Sequence, residues 1–204
     1  VAMRLADRLG VDRATASQTY YACLLMYSGC TTDTDVTTEI FGGSMTAHVI
    51  PATFGSQREV LTGLVRALPT SGSSPPARAL QIARRLPKAR KVRDPHLAAI
   101  CEVAQMLAER LALPASVHGL FVNLTDRWDG KGPLRRAKAE EIPLALRIVH
   151  VARDAALQRM LGGEEYAIRV VRERSGHGLD PEVAACLAEG APEILALEDE
   201  PSAW

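Results

Sequence analysis

The sequence predicts an all-α bundle of about eight to ten helices, and three observations carry that reading. Apolar residues recur at helical spacing along most of the chain. Aromatics make up only 4% of it, and no run alternates β-branched with polar residues as a half-buried strand would. A hydrophobic share of 47% over 204 residues can fill one good core.

The elements follow in order. Residues 1–9 read as the end of a helix stopped by Gly10, and Asp12 can cap the next, which carries Ala16, Tyr20, Cys23, Leu24 and Tyr27 on one face. Gly29 ends it. Residues 30–53, rich in Thr, Asp and Gly, read as a loop with a short helix near 35–41. Ser56 caps a helix through Leu68. Ser74-Pro75-Pro76 starts one over 75–86, and Asp94-Pro95 opens a longer one through Leu113. Between them RRLPKARKVR (84–93) holds Arg84, Arg85, Lys88, Arg90, Lys91 and Arg93, and reads as a solvated linker more readily than as a phosphate contact. Pro114 interrupts, and a turn from Ser116 leads to Leu124. DGKGP (129–133) breaks the chain. A helix from about Pro143 to Met160 stops at Gly162-Gly163, and Glu164 to Arg174 is helical again. Asp180-Pro181-Glu182 combines an N-cap, a first-turn proline and an early acid, and starts the helix to Glu189; a short one follows Pro192.

Composition excludes some functions. Lys plus Arg equals Asp plus Glu at 24 each, so no long-range field draws the chain to nucleic acid or anionic membrane. No apolar run approaches the roughly 20 residues of a membrane span. Cys23, Cys30, Cys101 and Cys186 form no CxxC pair and read as free thiols of a cytoplasmic protein. His48, His96, His118, His150 and His177 have no carboxylate recurring at ligand spacing and read as scattered histidines.

Three stretches in order carry a resemblance: RWDGKGP (127–133), EEIPLALRIVHVARDAA (140–156) and AIRVVRERSGHGLDPEVAACL (167–187). They resemble the C-terminal half of HD-GYP phosphodiesterases. Upstream, ADRLGVD (6–12), ACLLMYSG (22–29) and CEVAQMLAERLALP (101–114) are similar to further segments of that family. The resemblance implies one HD-like domain over 1–204, with 31–93 its divergent part. It also resembles the N-terminal region of actinobacterial HD-domain regulators that end in a LuxR-type helix-turn-helix, which implies a piece of a longer transcription regulator.

The family works through a metal cluster held by His and Asp side chains, which polarises a phosphodiester and generates hydroxide. The resemblance places those ligands on other residue types here. The His-Asp pair falls on Met26-Tyr27, the Lys after it on Cys30, and a further His on Ile100. The His-His-Glu before the loop falls on Leu124-Thr125-Asp126, and an Asp falls on Arg153. Asp154 is one place off, about 100° around a helix. The loop keeps Trp128, Asp129, Gly130, Gly132 and Pro133 but lacks the tyrosine between the last two. The expectation is a regulatory domain that is not an enzyme, binds no metal or cofactor, and acts through a homodimer or neighbouring domains. Two other readings stay open: a phosphodiesterase or phosphohydrolase with a relocated metal site, and a domain that senses a cyclic dinucleotide or another small ligand without cleaving it. Trp128 is expected fully buried as the anchor of its loop, Tyr20 as core filling, and Tyr27 in the space the metals vacate.

Overall fold

The computed structural model describes residues 1–28, 48–68 and 74–196. The expected loop and short helix at 30–47, and Cys30, lie outside them. The architecture is all-α: among the described residues no strand forms, and the single bridge joins Ser175 to Leu179. The helices are α1 (Ala2–Arg8), α2 (Arg13–Leu25), α3 (Gln57–Ala67), α4 (Pro75–Arg110), α5 (Ala115–His118), α6 (Leu144–Arg174), α7 (Pro181–Glu189) and α8 (Ala191–Ile194), with 3-10 turns at Ile50–Ala52, Gly119–Asn123 and Ala139–Glu141. No described helix is long and apolar enough to cross a membrane.

Local chemistry sets the boundaries. The Asp12 carboxylate accepts from the Thr15 N–H at 2.7 Å. Ser56 and Glu59 form a reciprocal capping box at the start of α3. Asp180 accepts from the N–H groups of Glu182 and Val183.

The 84–93 linker reading is corrected. The chain stays helical there, and α4 passes through Pro87 and Pro95 in one piece. Both prolines are exposed, so carbonyls deprived of an N–H partner can be met by water.

The α6 helix organises the core. Its first half is apolar on two faces. Ile148, Val151, Ala152 and Ala155 pack with Leu5 of α1 and with Val183, Leu187 and Ile194 of α7 and α8. Ala145, Leu146 and Val149 pack with Ile100, Cys101 and Ala104 of α4, and with Phe121 and Leu124. A helix buried on opposite sides must be apolar on both, as this one is. At Gly163 the backbone turns to φ 83°, ψ −177°, a conformation open essentially to glycine alone, and α6 kinks. A smaller apolar cluster joins Leu64, Ala67 and Leu68 to Ile82 and Leu86.

Candidate functional site

The site is built on α6. Arg153 sits three residues beyond His150, so both project from one side of that helix. The turn after α2 delivers Tyr27, and the segment before α3 delivers Thr53 and Phe54. The Arg153 Nε donates to the Tyr27 hydroxyl, and Nη2 makes a long 3.4 Å contact with Thr53 Oγ1. The guanidinium also lies over two rings, 5.5 Å from the Tyr27 centroid and 5.4 Å from that of Phe54. Phe54 in turn packs on His150, with ring centroids 4.9 Å apart. The His150 Nε2–H donates to the Leu124 carbonyl at 3.0 Å. Burial holds His150 neutral and pushes its pKa down to about 4, with the nearby Arg153 charge acting in the same direction.

Residues far apart in sequence thus form one line of contact: Tyr27, Arg153, Phe54, His150, Leu124. Three of them stand where the resemblance places metal ligands. Met26 packs against the cluster that contains Ile100 and Leu124. Thr53, Phe54 and His150 were not expected here. Thr53 lies in a stretch read as loop, and His150 read as one of five scattered histidines. A helix-periodic reading does place His150 beside Arg153, and that was the available signal.

Charge balance separates Arg153 from its neighbours. Arg127 meets Asp129, Arg147 meets Asp180, and Arg174 meets Asp154 and Glu59. Among the described residues Arg153 meets no carboxylate, and its Nη1 has no partner. Tyr27 is 42% exposed, so the guanidinium lies beside solvent-facing aromatic surface.

The remaining expected positions serve the scaffold. Asp126 is buried, accepting from the Asn123 amide at 2.9 Å and from the Arg136 N–H at 3.0 Å, so both its oxygens are committed. Thr125 is half-buried beside it. Asp154 turns away from Arg153 and pairs with Arg174 at 2.6 Å. Gly130 adopts φ 66° in the turn, and Gly132 packs against the backbone of Thr125 to Arg127, while Pro133 follows half-buried.

Two expectations are corrected. Trp128 is only half-buried, with Arg147 over its ring at 5.7 Å. The anchor of the loop is Arg127, 4% exposed, which donates to the carbonyls of Thr53 and Gly55 and to Asp129. A guanidinium can satisfy several backbone carbonyls at once, which an indole N–H cannot. Tyr20 is 49% exposed and stacks edge-on against Tyr21 instead of filling the core.

The family's metal does not fit the described residues. They contain no group of three or more His, Cys, Asp or Glu side chains able to hold one. The described ligand positions carry an arginine, a phenol, a thioether, a hydroxyl and aliphatic side chains; the one carboxylate among them, Asp126, has both oxygens committed to Asn123 and Arg136, and a guanidinium repels a cation.

No family model matches the chain, and no curated protein matches it. Its structure is similar to the crystal structure of a cyclic GMP-AMP-specific phosphodiesterase from V. cholerae, with a TM-score of 0.65 and 19% identity. The match covers 96% of this chain and 43% of that one, so this chain spans less than half of its neighbour. The chain therefore shares the HD-domain-like helical fold of that structure. The expectation that the chain is not an enzyme is overturned, because a solved structure that shares its fold is a phosphodiesterase. Substituted ligand positions alone were too narrow a basis for it: they describe one inherited site, and a fold can host chemistry elsewhere or by other groups.

Proposed function

We propose that this domain is a phosphodiesterase-type domain that takes a nucleotide phosphodiester into the Tyr27–Arg153 site. One observation carries the reading. A half-buried guanidinium without a carboxylate partner among the described residues stands at a position to which the sequence resemblance assigns a metal ligand, beside an exposed tyrosine ring. A guanidinium matches the geometry of phosphate oxygens. An exposed ring offers a face on which a base can stack. The fold shared with a cyclic GMP-AMP phosphodiesterase supports a cyclic dinucleotide as the first substrate to try.

The test is an assay of the purified chain with cyclic dinucleotides and linear bis-nucleotides, with and without Mn, Fe or Mg. Products are followed by chromatography and binding by calorimetry. Turnover or saturable binding of at least one phosphodiester is the expected result. Neither, with every substrate and metal, would end this reading.

A further inference from the structure

The disagreement between the fold's metal chemistry and the residues at its site has a constructive interpretation. We propose that Arg153 stands in for the metal cluster, so that the domain holds a phosphodiester without a divalent cation. This rests on the functional reading above and adds the means of recognition.

Metal ions in such a site supply positive charge against the non-bridging phosphate oxygens. Arg153, at a position to which the resemblance assigns a metal ligand, supplies positive charge in a fixed planar form. The neighbours fix its aim. Tyr27 accepts from Nε, Thr53 receives only a long contact from Nη2, and Nη1 has no partner among the described residues. The Phe54 ring lies beneath the guanidinium and is buried, so it stabilises the cation without competing for its hydrogen bonds. His150, buried and neutral behind Phe54, adds no second positive charge. The fork therefore keeps donors for phosphate, and the exposed Tyr27 ring lies where an attached base can stack. Hydrogen bonds to a charged group contribute enough that losing the guanidinium should weaken binding roughly ten- to a hundred-fold.

The experiment is calorimetric titration with cyclic GMP-AMP, first in excess EDTA and then with Mn. Inorganic phosphate runs beside it, to separate recognition of a nucleotide from capture of a bare anion. Wild type is compared with Arg153→Gln, Arg153→Lys and Tyr27→Leu, each checked by thermal melting for an intact fold. The proposal expects the same affinity in EDTA and in Mn, a loss of roughly ten-fold or more in Arg153→Gln, partial retention in Arg153→Lys, and weaker nucleotide binding in Tyr27→Leu. Inorganic phosphate should bind far more weakly than the dinucleotide. Should Arg153→Gln fail to fold, Arg153→Lys carries the comparison, and unchanged affinity there together with unchanged affinity in Tyr27→Leu counts against the proposal. Binding that requires Mn, or that survives EDTA yet ignores both substitutions at Arg153, overturns the proposal and leaves the phosphodiester reading standing. Absence of binding and turnover under every condition removes both.

Discussion

His150 shows how a single side chain ties the site to the stability of the fold. In the unfolded chain an imidazole titrates near about 6.5. In the fold, burial lowers that to about 4, and the Nε2–H donates a hydrogen bond to the Leu124 carbonyl. The group is a base with a depressed pKa, so the unfolded chain takes up a proton first as the pH falls. The contribution is fully present above about pH 6.5 and is lost as the pH drops toward about 4. Between pH 7 and pH 5 the fold should lose about 2 kcal/mol from this residue. Two acids act lower down. Burial tends to raise Glu59 and Asp129, but the hydrogen bonds from Arg174 to the first and from Arg127 to the second outweigh it and hold both below the usual range. Their contributions are present above their unfolded pKa values, near about 4, and are lost only below that. Urea titrations from pH 7 to pH 5 on wild type and His150→Gln test the separation. The wild type should weaken across that window and the variant should weaken much less. A wild-type stability that stays flat would contradict a buried neutral His150.

At the scale of elements, most of the fold was legible in the sequence, because helix starts are chemical signals. Asp12, Ser56, Ser74-Pro75 and Asp180-Pro181 each stand immediately before a helix that forms. Gly163 marked the break in α6. The reading failed at 84–93, taken as a solvated linker for its run of basic residues, because the helix continues through Pro87 and Pro95, where exposure lets water meet the carbonyls that lose an N–H partner. It also missed how closely the turn after α6 approaches the site. A Cβ on Gly178 would lie 2.1 Å from the Phe54 carbonyl oxygen, a backbone atom that cannot step aside alone. The adjoining backbone is fixed as well: the Asp129 N–H donates to His177 at 2.8 Å. Gly178→Ala should therefore push Phe54 away from Arg153 and destabilise the fold by roughly 1–3 kcal/mol. A thermal melt, with near-ultraviolet circular dichroism to report on packing around the aromatic side chains, checks it. An alanine variant with wild-type stability and spectrum would mean the two turns do not touch as described.

Over the whole molecule, the candidate site depends on side chains that tie residues 50–59 to the rest of the bundle. Arg127 holds the carbonyls of Thr53 and Gly55, and Gln158 holds that of Pro51. Arg174, from the end of α6, reaches the Pro51 carbonyl at 3.0 Å, Asp154 at 2.6 Å and Glu59 at 2.7 Å. This was illegible in the sequence, because it joins the 50–59 segment to residues 72 to 123 positions away and no local pattern encodes it. The resemblance placed Tyr27 and Arg153 at one site, yet the groups that complete it, Thr53 and Phe54, arrive on the tethered segment. Removing one partner from a buried ion pair leaves the other charge uncompensated, which costs roughly 3–5 kcal/mol, whereas replacing both by apolar groups can be nearly neutral. Arg174→Met should therefore destabilise the domain strongly, expose the 50–59 segment to proteolysis first, and weaken ligand binding without touching the ligand. The double variant Arg174→Met with Asp154→Leu should recover much of the stability. It should recover less of the binding, because Glu59 and Pro51 remain untethered. Chemical denaturation and limited proteolysis of the single and double variants measure this coupling. A double variant no more stable than Arg174→Met alone would show that Arg174 acts mainly through Glu59 and Pro51, and that the buried Asp154 charge is tolerated without it.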